Sequence, residues 1–158
     1  MQTTRQDGQN RLLKNYSLIL LLLICSQTVV ALSVKDMQTM KDLKSQATQY
    51  RLNGNYQAAN QVSDQLKRTF PGDGIGYTVS LNTLTTRLSW DGNNKAFDKT
   101  FRDDASTALK LCRARIKTSP EDYRGYYHCG QAYFALTYLN ALRGNYIRSG
   151  TNGTKAIE

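Results

Sequence analysis

Proline is almost missing from this chain. There are two in 158 residues, Pro71 and Pro120. Proline breaks helix interiors, so its scarcity leaves room for long helices. Histidine occurs once, at His128, and a zinc centre needs three or four such ligands held together; the sequence offers no such group. There is no glycine-rich phosphate loop and no nucleophile elbow. The eleven glycines are too few for a fibrous chain. Acidic residues are outnumbered, 12 against 21 basic, which gives a formal charge of +9. Arg5, Arg11 and Lys14 against Asp7 place +2 of this before the one long apolar run and leave +7 after it. Such a balance favours acidic partners, anionic envelope surfaces or nucleic acid, and it is equally compatible with solubility alone. Charge bears on association and not on fold. The length suits one modest domain.

The apolar run is Leu18 to Cys25, preceded by the basic residues and followed by Ser26-Gln27-Thr28 and Val29-Val30-Ala31. A basic start, a short apolar core and small residues at a cut site make a secretory signal. The expected segment is 1–31, cut after Ala31, with Ser33 as a second cut site. The alternative is an uncleaved anchor, because Tyr16 to Val34 nearly reaches the ~20 residues of a membrane span. A lipid anchor at Cys25 is disfavoured by Ile24 before it. In each case the remainder, 32–158, is placed outside the cytoplasm, in the periplasm or secreted, with membrane anchoring as the alternative.

After a lead-in over Leu32 to Asp36, Met37 to Leu52 carries Met40, Leu43, Ala47 and Tyr50 at helical spacing. Asn53-Gly54-Asn55 ends that helix. A second helix is predicted from Tyr56 to Thr69, with Ala58, Ala59, Val62 and Leu66 on one stripe. Phe70 to Gly74 breaks it. A third runs from Ile75 to Leu88, and Trp90 to Asn94 is a loop. A fourth, Ala96 to Lys117, ends at Thr118-Ser119-Pro120. A fifth carries Tyr126, Cys129, Gly130 and Tyr133 and continues through Leu142. The last helix is weakened by Gly150 and Gly153 and is expected to fray after about Ser149. Leu52-Asn53-Gly54-Asn55-Tyr56 and Leu142-Arg143-Gly144-Asn145-Tyr146 are the same Leu-x-Gly-Asn-Tyr turn, a direct internal repetition.

Ala47, Tyr50, Gly54, Tyr56, Ala59 and Pro71 resemble a tetratricopeptide repeat. They match its order of small residue, Tyr, Gly, Tyr, Ala and closing Pro. Tyr77 stands where a second repeat would begin. Pro120 stands where it would close, but over a longer span than the family uses. Tyr126, Cys129, Gly130 and Tyr133 match a third. Ser63 and Leu66 depart from the pattern. The resemblance covers roughly Met37 to Ser149. It implies an all-α fold, a right-handed stack of antiparallel helix hairpins (a TPR-like α-solenoid) of about six helices after the signal helix. The units would be about 37–73, 74–120 and 121–158, each burying the apolar face its neighbour cannot hide alone. A plain helical bundle is the alternative.

His128 has no acidic partner one helical turn away. Asp103-Asp104 and Glu121-Asp122 are the acidic pairs, the second at a helix start, where carboxylates suit the helix dipole. No catalytic constellation emerges, so no enzyme, metal or cofactor is expected. Cys112 and Cys129 lie eight residues before and nine after Pro120, facing each other across a helical hairpin. Export places them in an oxidising compartment. The expectation is a disulfide worth ~3 kcal/mol; the alternative is two buried free thiols.

Repeat stacks bind through the face lined by the first helix of each unit. There the polar positions are Lys41, Lys44, Thr48 and Arg51, then Thr78, Asn82 and Thr85, then Arg124, Tyr127, Gln131 and Phe134. Cations, amides and aromatics at these positions suit an acidic peptide or a chain's carboxylate end. The expected function is an exported protein-binding adaptor or scaffold of a bacterial cell envelope. A structural subunit, marked by exposed apolar residues on the convex side or at Phe97 and Phe101, and a binder of anionic polymers are the alternatives. Another protein or an acidic peptide is the expected partner, with membrane association through the N-terminus as an alternative; nucleic acid and small molecules are not expected.

Overall fold

Six helices follow one another with short connections in the computed structural model, which describes residues 33–157. The expected signal or anchor over 1–31, with Cys25, lies outside the described residues. The helices are α1 (Val34–Leu52), α2 (Tyr56–Thr69), α3 (Ile75–Trp90), α4 (Asp98–Thr118), α5 (Tyr123–Leu142) and α6 (Tyr146–Ile157). The fold is all-α, and no strand occurs among the described residues. None of these helices is long and apolar enough to cross a membrane.

Most boundaries follow from local chemistry. The Asn55 side chain accepts the backbone N–H of Ala58 and so starts α2. The side chain of Asp122 accepts the N–H of Arg124 at the start of α5, as the acidic pair there predicts. Several boundaries differ from expectation, and α3 runs to Trp90 rather than Leu88, into the expected loop. The lead-in is helical from Val34, with Asp36 in the first turn, where a carboxylate suits the dipole. Helix α4 begins at Asp98 rather than Ala96, because Asn94 Oδ1 takes the Ala96 N–H and holds a turn there. Helix α6 does not end at Ser149; it continues to Ile157. Its packing on α5 outweighs its glycines: Ser149 Oγ donates to the Thr137 carbonyl at 3.0 Å. A Cβ on Gly130 would stand 3.1 Å from the Ala156 carbonyl, so glycine on α5 admits the far end of α6.

The two Leu-x-Gly-Asn-Tyr turns share one backbone. Gly54 and Gly144 have φ of +74° and +71°, and they are the described residues with positive φ. In the first, the N–H of Asn55 reaches Tyr50 O at 2.8 Å and that of Gly54 reaches Arg51 O at 3.1 Å. In the second, Asn145 reaches Asn140 O at 2.8 Å and Gly144 reaches Ala141 O at 3.0 Å. A left-handed glycine after the helix closes the last carbonyls in both.

Each helix packs on the next, and α3 also packs on both α1 and α5. This explains why α3 is buried nearly all round, including Thr78, Ser80 and Thr83. Thr83 Oγ1 settles its polarity by donating to Val79 O at 3.1 Å. A core cluster joins Leu81, Leu84 and Leu88 of α3 to Phe101, Ala105 and Ala108 of α4 and to Ala132, Ala135 and Leu139 of α5. A second layer sets Met40 and Ala47 of α1 and Ala59, Val62 and Leu66 of α2 inward. Helices α2 and α3 approach closely at Gly76, where a Cβ would meet the Lys67 backbone nitrogen at 2.6 Å.

Candidate functional site

Three helix ends meet at one place. Asp73, in the loop after α2, caps the start of α3 by accepting the Ile75 N–H at 2.9 Å. Asp122 caps the start of α5. Between them lies Arg115 from the last turn of α4, donating to Asp73 Oδ2 at 2.9 Å and to Asp122 Oδ2 at 2.7 Å. Each charge suits the helix end it sits on. Arg124 closes the group, its Nε and Nη2 both on the Asp122 carboxylate.

His128 completes it. It is buried, with Nε2 3.2 Å from Asp73 Oδ1 and Nδ1 3.2 Å from Thr78 Oγ1. The sequence shows no acidic partner for His128 within its own helix; the fold brings one from the α2–α3 loop. Burial by itself would raise the Asp73 carboxyl. The hydrogen bond and charge of His128, the Ile75 N–H and Arg115 outweigh it, and the group ends below its ordinary value of 3.8. Asp122 is held well below that value by its bonds to Arg124, against a smaller opposing effect of burial. Arg124 is raised in return by Asp122.

Asp73, His128 and Thr78 form an acid–imidazole–hydroxyl line, but Thr78 is buried and its hydroxyl also donates to the Ile75 carbonyl at 3.1 Å. The line ties α3 to α5 as a clamp, with Thr78 set behind the residues that line the cavity. Thr78, expected on the open polar face with Asn82 and Thr85, is thus turned inward. Its hydroxyl is used by the core, and only the other two remain partly exposed.

Above the clamp lies a cavity of about 310 Å³. Met37, Met40 and Lys44 of α1 form one wall. Tyr123, Arg124 and Tyr127 of α5 form the other, and Asp73, Ile75 and His128 close the base. Lys44 Nζ donates to the Tyr127 hydroxyl at 3.1 Å and sits 4.9 Å from that ring's centroid, linking the two walls. A narrow cleft continues between α1 and α3, lined by Lys44, Thr48, Arg51 and Asn82. Arg51 Nη1 crosses it to Thr86 Oγ1 at 2.8 Å.

No family model, curated protein or solved structure matches the chain. Of the residues expected on the binding face, Lys44, Arg124 and Tyr127 line the cavity and Lys44, Thr48, Arg51 and Asn82 line the cleft, with Lys44 common to both. Lys41 is exposed on α1 beside it; Gln131, half-buried, and Phe134, exposed, lie further along α5 and line neither. Asp73 and His128 were missed as a pair. The one available signal was an acid between two glycines just before a helix, a capping position.

Cys112 and Cys129 sit at disulfide distance, with Cα atoms 5.5 Å apart, joining α4 to α5. Phe101 is fully buried, and Phe97 is covered by the Arg87 guanidinium 4.0 Å from its centroid. Neither of these two rings is exposed as the structural-subunit alternative asked of them. Among the described residues no cluster of His, Cys, Asp and Glu could hold a metal.

Proposed function

We propose that the chain is an exported, TPR-like adaptor or scaffold of the cell envelope, binding a protein partner along the face shared by α1, α3 and α5. The observation that carries this reading is the packing of those three alternate helices side by side, α3 against both α1 and α5. A stack of helix hairpins produces that arrangement from its first helices. The repeated turn at Gly54 and Gly144 supports it, and so does the gathering of Lys44, Arg51, Asn82, Arg124 and Tyr127 on the same face. The partner segment is acidic, because the face presents cations, amides and aromatic rings. The Cys112–Cys129 pair forms a disulfide in the oxidising compartment and stiffens the α4–α5 hairpin behind the face.

The test is crosslinked capture of the partner from the native envelope, comparing the unaltered protein with Lys41→Ala/Lys44→Ala/Arg51→Ala. Recovery is expected to fall sharply in the triple variant. Equal recovery from both rejects this face. Retention on heparin that declines steeply with salt, with no protein recovered, transfers the function to anionic polymers.

A further inference from the structure

The geometry points to the α1–α5 cavity as a binding site for a small linear acid, one carboxylate head on an apolar tail. This goes beyond protein docking and concerns a ligand class that the sequence did not suggest.

The charges decide the head. At the base, the carboxylates of Asp73 and Asp122 face the guanidiniums of Arg115 and Arg124, with His128 between. Lys44 stands outside that set and makes no ion pair among the described residues, although it lines the cavity. One of its N–H groups is on the Tyr127 hydroxyl, which leaves two, and the Tyr127 O–H itself is a donor. Arg124 lines the same space, its Nη1 buried 3.9 Å from Asp73 Oδ2 without a hydrogen-bond acceptor. One entering carboxylate gives the free N–H groups of Lys44 and the Tyr127 O–H an acceptor, and Lys44 a counter-charge. A cationic ligand meets repulsion, and a neutral one leaves Lys44 unpaired.

The walls decide the tail. Met37, Met40 and Ile75 make the apolar side, and methionine adapts its shape to a flexible chain. Met37 and Lys44 are two helical turns apart on α1, about 10 Å at 1.5 Å per residue. That is the reach of an extended eight-carbon acid. The volume of about 310 Å³ lies at the small end of ligand pockets.

The experiment titrates the full chain with octanoate, octanamide and octylammonium by calorimetry. In parallel it follows the methyl signals of ¹³C-methyl methionine. The chain has three methionines, and two line the cavity, so the spectrum reports location directly. Octanoate is expected to bind and to shift the Met37 and Met40 signals. Octanamide should bind about tenfold more weakly or worse, and octylammonium should leave both signals in place. Lys44→Met should cost octanoate about tenfold while melting as the unaltered chain does. The inference is overturned by any of three results: no octanoate binding, equal binding of acid and amide, or binding that moves neither methionine. Partner capture by the face is read separately, so its failure and this one are distinguishable.

Discussion

Asp73 of the α2–α3 loop and His128 of the second turn of α5 meet 3.2 Å apart in a buried setting. The Asp73 carboxyl is depressed in the fold below its ordinary 3.8. A depressed carboxyl contributes stability that is present above its unfolded pKa and is lost as pH falls through the folded one. The chain should hold its stability down to about pH 4 and lose it below. Asp73→Asn takes the carboxylate from His128 and leaves Arg115 with Asp122 alone, and should cost about 3 kcal/mol near neutrality. The gap between the two proteins should close below pH 4 in denaturant melts. A gap of constant size from pH 6 to pH 3 contradicts the clamp.

The cysteine pair closes a loop with a sequence separation of 17. Its loss should lower stability by about 3 kcal/mol. Intact-mass measurement of the exported protein should show two hydrogens gained on reduction. Cys112→Ser/Cys129→Ser should unfold at lower urea, and adding reductant should change its midpoint no further.

Arg143 holds the connection before α4. Its guanidinium grips Asp98 with Nε at 2.8 Å and Nη2 at 2.7 Å, and it also reaches the carbonyls of Gly92 and Asn94. Arg143→Lys keeps the charge but cannot span these acceptors. Hydrogen exchange should accelerate at 92–98 in that variant and stay unchanged in α1 and α2. Uniform exchange across the chain would show that the loop is held by other contacts.

Gly76 marks the crossing of α2 and α3. Gly76→Ala puts a methyl against the Lys67 backbone, and overpacking of this kind costs about 1–3 kcal/mol. In an exposed helix the same change would stabilise by up to about 1 kcal/mol. The sign of the measured change therefore tests the close approach.

The parts of the fold legible in the sequence are those with a local cause. Asn55 and Tyr56 open α2 where the pattern places it, and Gly54 and Gly144 announce their turns by a shared pentapeptide. The facing cysteines follow from counting outward from Pro120. Other features depend on residues far apart in the chain. His128 has no partner until the α2–α3 loop is folded against α5. Thr78 reads as polar surface until α3 is found between four neighbours. The end of α6 reads as weak helix until Gly130 and Thr137 provide a seat for it. The Met37–Lys44 wall looks like an ordinary amphipathic stripe, and only the opposing first turn of α5 makes it a cavity.

The joints at Gly54 and Gly144 have one geometry and one five-residue grammar, yet they differ at the second position. Asn53 is exposed at the first, and Arg143 reaches across to α4's start at the second. That position is free of the hinge's own requirements. A hairpin copied together with its joint therefore arrives able to bend the chain correctly. It carries one open site where a new tether to whatever lies alongside can be written.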